Sequence, residues 1–271
     1  MIVQYKNFNY ITLGEFLNNS HLSKVNISKL LTKKAISIDN RYLTNLDELV
    51  DNIYINYSLL EDNEAQIGTE MNLSIIYEDD NFIAIDKDRG ILVHPDGNTT
   101  DTLLNGVVYY LKSKYDDSFI RPIHRIDYET EGVVVFAKNI IAYTYTSYLM
   151  ETNKITKIYK ALVSGEVINQ EIDFKIGKNR HDSKKYCVSK SGKDAKTIIK
   201  VIKKYPNQTL IECKLITGRP HQIRVHLSHI GHPLVGDELY GGSGDKLMLL
   251  SSEFSFKFFD KVITIRTRKK I

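Results

Sequence analysis

The chain has 271 residues, a formal net charge of +4, 42% hydrophobic and 26% charged residues, 15 Gly and 5 Pro. This composition excludes collagen-like, low-complexity and wholly disordered classes, and the length allows one large domain with a small companion. No stretch approaches the ~18 consecutive apolar residues of a membrane span, and Met1 to Tyr10 lacks the apolar run of a secretory signal, so a cytoplasmic protein is expected.

Near the start, Thr12 and Glu15 form a capping-box pair, with Leu13, Phe16 and Leu17 at helical spacing. A second helix is predicted from Ser23, burying Ile27, Leu30 and Leu31 and exposing Lys24, Lys29, Lys33 and Lys34. Two short strands follow, one with Ile36 and Ile38 ahead of a turn at Asp39 to Arg41, the other with Ile53 and Ile55. Two helices followed by strands resemble the small RNA-binding module named after ribosomal protein S-four, over Ile11 to Leu59. That resemblance implies that Lys29 and Lys33 on the second helix touch phosphates. The module's usual Asn-Gly turn and Gly-Asp are replaced by Asp39-Asn40-Arg41 and Val50-Asp51-Asn52.

A boundary is expected where Glu61, Asp62, Asn63, Glu64, Gln66 and Gly68 interrupt the apolar pattern, dividing the chain into residues 1–67 and 68–271. The first part holds 6 Lys+Arg and 8 Asp+Glu, a net of −2, which leaves +6 on the second. Much of that excess lies between Arg180 and Lys204 and at Arg266, Arg268, Lys269 and Lys270, a distribution that suits a polyanion such as RNA and equally a solvated surface.

Beyond the boundary, Ile75 to Tyr77 and Phe82 to Ile85 flank the acidic turn Glu78-Asp79-Asp80-Asn81, as in a hairpin. Val133 to Phe136 reads as a buried strand, Asn139 to Met150 as a helix, and Ile158 to Val163 as a strand ending at Gly165. Ile211, Cys213 and Leu215 alternate with Glu212 and Lys214, a half-buried strand. A last helix is predicted between Pro220 and Gly231, with Ile223, Leu227 and Ile230 inward and His221, Arg224 and Ser228 on the opposite face. The expected fold is α+β: a large mixed, mostly antiparallel sheet with flanking helices, plus a small amino-terminal α/β module.

Two stretches carry groups capable of chemistry. In His124-Arg125-Ile126-Asp127, a carboxylate between basic groups and a buried strand suits a nucleophile or base, and equally a structural ion pair. In Thr217 to His226, the basic helix face can hold phosphates, or supply an Arg that ionises a buried carboxylate. Cys187 and Cys213 lack metal spacing and are read as reduced thiols; His221, His226, His229 and His232 lack the HExxH pattern. No metal site is expected, and no phosphate loop or nucleophile elbow is present.

The same residues resemble the RluA-type pseudouridine synthases. His124 to Asp127 with Thr130, Gly132 and Val133 to Lys138 is similar to that family's catalytic stretch. Ile75 to Asp80 with Lys87, Gly90 and Val93-His94-Pro95 resembles its opening hairpin, and Thr102-Leu103-Leu104 the helix after it. Lys157 to Ala161 with Gly165 resembles its tyrosine motif, and Gly192 to Thr197 the strand before its long motif. Thr217 to His226, Gly231-His232-Pro233, Gly236-Asp237 and Tyr240-Gly241 resemble that long motif itself.

The resemblance spans Leu73 to Phe259 and implies the pseudouridine synthase fold, Asp127 as nucleophile, Arg224 as its ion-pair partner and Tyr159 stacked on the target uracil. It further implies that Arg125 fills the place of a flipped base, with His124, Arg219 and His221 against the RNA and no cofactor. Ribosomal RNA is expected ahead of transfer RNA as the partner, with no membrane and a monomeric protein. The chain departs from the pattern at Asp88, Tyr128 and Ser251-Ser252. The rival expectation is a catalytically silent RNA-binding or ribosome-assembly protein on the same fold; a His-dependent metal hydrolase is the weaker one.

Overall fold

The computed structural model describes residues 1–59, 67–97, 99, 101–114 and 119–271. Its contacts divide the chain into two units: Met1–Ala84, Val93–His124 and Val135–Thr152 form the first, and Ile85–Leu92, Arg125–Val134 and Asn153–Ile271 the second. Glu61, Asp62, Asn63, Glu64 and Gln66 of the expected boundary lie outside the described residues.

The first unit begins with β1 (Ile2–Thr12), which the mixed composition of that stretch conceals. Its signal is alternation: Val3 and Tyr5 are buried between exposed Gln4 and Lys6. The expected helices are α1 (Leu13–Asn19) and α2 (Lys24–Thr32), capped by Thr12 and Ser23; Glu15 completes the capping box. Leu30 is buried, whereas Ile27 and Leu31 are only partly so. Then come β2 (Ile36–Ile38), β3 (Arg41–Tyr42) and β4 (Leu49–Asn56), in the sheet order β1-β4-β2-β3. The turn between β2 and β3 has positive φ at Asp39 (44°) and Asn40 (65°), which Asp and Asn tolerate through local hydrogen bonding.

The same unit holds β5 (Ile75–Glu78), the first half of β6 (Phe82–Lys87), α3 (Leu103–Ser113), β7 (Arg121–Pro122), the end of β8 (Glu131–Ala137) and α4 (Ile140–Glu151). Tyr5 ties the amino-terminal sheet to this part: its hydroxyl bonds the Tyr57 hydroxyl (2.8 Å) and donates to Asn81 Oδ1 (2.9 Å). Asn139, the N-cap of α4, donates to the same Asn81 oxygen (2.9 Å).

In the second unit, β9 (Thr156–Ser164), β10 (Gln170–Asp173), β13 (Lys196–Tyr205), β14 (Gln208–Leu215), β15 (Leu249–Phe258) and β16 (Lys261–Arg266) pair antiparallel in the order β10-β13-β14-β9-β15, with β16 on β15. β15 also runs parallel to β8 through Leu250↔Glu131 and Ser251↔Gly132. The hairpin of β11 (Ile176–Lys178) and β12 (Tyr186–Val188) stands apart, and α5 (Gln222–His229) follows β14. The mixed, mostly antiparallel sheet with helices is therefore the expected α+β class.

One helix boundary differs from expectation. α5 begins at Gln222 rather than at Pro220, because His221 adopts a left-handed conformation (φ 55°) and stands outside the helix as its N-cap. His221 is consequently placed by a turn and not by helical periodicity.

Candidate active site

The site belongs to the second unit. Asp127 lies just ahead of β8, and its carbonyl accepts the Thr130 amide (3.0 Å). Gly132, at φ 110°, brings β8 close to β15: a Cβ there would stand 2.2 Å from the Ser251 carbonyl oxygen, so only glycine allows this approach. The Asp127 side chain is 23% exposed, open enough to meet a ligand and buried enough to be oriented.

α5 supplies Arg224, whose side chain is only 9% exposed. Its Nε and Nη2 donate to Asp237 Oδ2 (2.8 Å) and Oδ1 (2.7 Å), and its Nη1 donates to Asp127 Oδ2 (3.4 Å). The planar guanidinium is thus gripped by a fully buried carboxylate and presents its remaining edge to Asp127. Burial works against the Arg224 charge, but Asp237 and then Asp127 outweigh it, so its pKa is held above the ordinary arginine value. Gly236 (φ 75°) directs Asp237 inward; a Cβ at Gly236 would meet the Lys246 carbonyl oxygen at 1.7 Å.

His221 Nε2 stands 4.0 Å from the same Asp127 oxygen, and its Nδ1 lies 2.8 Å from the Tyr240 hydroxyl. That hydroxyl also accepts the Tyr186 amide (2.9 Å), and the Tyr240 ring lies 5.1 Å from the Arg224 guanidinium carbon. Burial lowers the His221 pKa, with Asp127 opposing, whereas burial raises that of Tyr240 to about 12. Both are therefore held toward their neutral forms at neutral pH.

Tyr159 sits on β9 between Cys213 of β14 and Ser251 of β15 and is 7% exposed. Its phenol pKa is raised, chiefly by burial, with Asp127's charge adding to the effect. The result is a neutral aromatic ring, within electrostatic reach of Asp127.

The other expected residues are distributed more widely. Arg125 is exposed, and its charge reaches His221. Arg219 donates from Nε to the Asp194 carbonyl (2.8 Å). His124 belongs to the first unit, where its Nε2 accepts the Val135 amide (3.2 Å). Lys29 and Lys33 are exposed on α2 and its C-cap, also in the first unit. His226 bonds Thr197 and Phe174, and His232 Nδ1 lies 2.9 Å from the Ser164 carbonyl. Among the described residues, no group of three or more His, Cys, Asp or Glu is placed to hold a metal ion.

Of the expected catalytic set, the fold brings Arg224 to Asp127 by contact and Tyr159 within its electrostatic reach; His221, expected against the RNA, also stands beside Asp127. Sequence reasoning left Asp237 and Tyr240 without roles. Arg224, expected on the face opposite the buried one, is itself buried, and a buried arginine calls for a carboxylate that the helix pattern does not reveal.

The model of the RNA pseudouridylate synthase family matches residues 81–229, more than half of the chain. The chain belongs to that family. Ribosomal large subunit pseudouridine synthase D of Neisseria meningitidis serogroup A is 34% identical over 224 residues, covering 81% of this chain and 60% of that protein. The protein of the same name from Pseudomonas aeruginosa is 38% identical over 184 residues, covering 66% and 58%. The chain thus spans about three-fifths of the length of these curated relatives. The solved structure of human RNA pseudouridylate synthase domain containing 1 has a TM-score of 0.64 and 25% identity, covering 74% of this chain and 85% of that one.

In this pseudouridylate synthase family member, the matched span carries Asp127, Tyr159 and Arg224, while Asp237 and Tyr240 follow it. The departures are structurally accommodated. Asp88 pairs with Lys269, Tyr128 is half exposed, Ser251 Oγ donates to the Val133 carbonyl (3.1 Å) and Ser252 Oγ to that of Ile158 (3.0 Å).

Proposed function

We propose that the protein isomerises specific uridines in structured RNA to pseudouridine, with Asp127 as nucleophile. One observation carries this reading: a partly exposed carboxylate is aimed by an arginine that a second, fully buried carboxylate holds in place. A structural ion pair needs only one acid. Here Asp237 takes the bidentate grip, and Asp127 stays open on the ligand side.

A uridine within structured RNA must leave its stack, at a cost of a few kcal/mol, before its glycosidic bond is reachable. Arg125, exposed two residues from the nucleophile, fills the vacated place, and the neutral Tyr159 ring stacks on the uracil. Cleavage of the N1–C1′ bond develops oxocarbenium-like charge on the ribose, which the Asp127 side chain stabilises or traps. Arg224 orients that carboxylate through its Nη1. The uracil turns, C5 bonds to C1′, the C5 proton leaves and N1 takes up a proton. The reaction is a net isomerisation, so its balance needs no water, metal or redox cofactor.

His124, Arg219 and His221 contact the RNA. Residues 1–67 act as an auxiliary RNA-binding module resembling that of ribosomal protein S-four, through Lys29 and Lys33, beside a catalytic part of residues 68–271. The names of the relatives favour ribosomal over transfer RNA as the substrate. We place the protein in the cytoplasm as a monomer; among the described residues, no helix is long and apolar enough to cross a membrane.

The test is a pseudouridine map of total RNA by carbodiimide labelling, comparing cells with and without the protein. Sites lost on deletion and regained with wild type, but not with Asp127→Ala, are expected. Sites regained with Asp127→Ala would remove the nucleophile assignment. No lost site, despite RNA binding by the purified protein, would favour the catalytically silent reading.

A further inference from the structure

A second cluster of charge lies behind the Asp127 loop. Lys87, at the end of β6, is fully buried, and its ammonium donates to two backbone carbonyls, those of Asp88 (2.8 Å) and Tyr128 (3.0 Å). Tyr128 follows Asp127 directly, and its carbonyl also accepts the Gly90 amide (2.9 Å). The backbone that carries Asp127 is therefore held from the 87–90 turn by two donors.

That turn is held in its own right by the segment after β16. Asp86, 2% exposed, accepts the Thr267 hydroxyl (2.6 Å) and the Arg268 amide (2.9 Å). Lys269 Nζ donates to the Lys87 carbonyl (2.8 Å), pairs with the Asp88 carboxylate, and reaches Glu131 Oε1 (3.5 Å). Its own amide donates to Thr267 Oγ1 (3.0 Å), which fixes the turn that presents the side chain. One ammonium thus joins the 86–90 turn to the far end of the Asp127 loop, whose last residue before Gly132 is Glu131. Burial and the nearby Lys269 charge bring the Lys87 pKa down to about 8, while Asp127, Glu129 and Glu131 oppose that shift. Lys87 therefore stays largely charged at neutral pH and keeps donating to Tyr128.

We propose that residues 267–269 form a positioning clasp for the catalytic loop, and that Lys269, by bridging the 87–88 backbone turn and Glu131, fixes where Asp127 stands. Lys269 touches neither substrate nor Asp127; it acts through Lys87, Asp88 and Glu131. The geometry favours this role over an RNA contact because three acceptors already surround the ammonium and its side chain is only 23% exposed. A reacting group misplaced by about 1 Å costs catalytic rate.

The catalytic half of this inference rests on the proposed function, so the experiment has two independent readings on the full-length chain. In Lys269→Met, amide hydrogen exchange should rise at Gly90 and Thr130, whose amides bond within the clasped loops, and stay unchanged in α5. With an RNA that the wild type modifies, kcat should fall about tenfold with KM within twofold, and Lys269→Arg should recover most of the loss. Unchanged exchange at Gly90 and Thr130 overturns the clasp whether or not activity is found. A raised KM with normal kcat overturns it in favour of an RNA contact, and a lowered melting temperature with normal kcat and loop exchange in favour of a plain structural staple. A wild type that modifies no RNA, with exchange raised as expected, rejects the proposed function and keeps the clasp.

Discussion

Arg224 gives Asp237 two hydrogen bonds, at 2.8 and 2.7 Å, and gives Asp127 one longer bond at 3.4 Å. The arginine is thus anchored by one acid and offered to the other. Its tight partner lies out of solvent, and its looser partner is partly exposed.

Asp237→Asn should therefore be costly even though it preserves shape. It leaves a buried guanidinium with half its compensation, and loss of one partner of a buried pair typically costs about 3 kcal/mol. Urea unfolding should show that loss, along with reduced turnover. A midpoint equal to wild type would mean that Asp127 alone can hold Arg224.

His226 makes acid weaken the fold. Its Nε2 faces the Phe174 carbonyl, which can only accept, so the neutral ring carries its proton on Nε2 and its Nδ1 accepts from the Thr197 hydroxyl, which itself accepts from Gln222 Nε2. Both ring nitrogens are satisfied in the neutral form, and burial lowers the pKa, with the Phe174 carbonyl opposing. A depressed folded-state pKa means that the unfolded chain protonates first. This contribution is complete above about pH 6.5 and is lost as pH falls through the folded value. Unfolding midpoints at pH 7.5 and 5 should drop more in wild type than in His226→Gln; equal drops would refute the assignment.

Gly132→Ala should break the β8–β15 approach. A Cβ 2.2 Å from the Ser251 carbonyl oxygen, at φ 110°, cannot be absorbed by a side-chain shift. A loss of about 2 kcal/mol or more is expected by chemical denaturation. A difference under about 0.5 kcal/mol would show that the two strands can part locally.

Replacing Lys29 and Lys33 together with Gln should weaken RNA binding and lower its salt slope by about 1.5, if each meets one phosphate. Binding measured across a salt series decides this. An unchanged slope would leave residues 1–67 as a structural cap.

Much of the local structure is legible in the sequence. Thr12, Ser23 and Asn139 cap α1, α2 and α4 as their side chains require, and the Val133 to Phe136 run is a fully buried strand. Asp127, Tyr159 and Arg224 were identified through motif resemblance, and they lie within the span of the family model. Other local expectations differ from the structure: Ile27, Leu31 and Ile230 are only partly buried, and Arg224, expected opposite the buried face of its helix, is itself buried. β1 was hidden because its alternation was read only as mixed composition, and α5 starts late because His221 takes a left-handed turn that helical periodicity cannot express.

By itself, then, the sequence determined the caps, the strand and helix periods, the α+β class and the residue types of a carboxylate-centred site, since those depend on neighbours a few positions apart. Tertiary structure alone decided who partners whom. Asp237 rather than Asp127 takes the Arg224 fork, and Lys269 closes on a turn 181 residues away at Asp88. Such pairings depend on which strand ends the sheet order brings together. A charge buried there must take whatever opposite charge or carbonyl the topology delivers, and no local pattern records that choice.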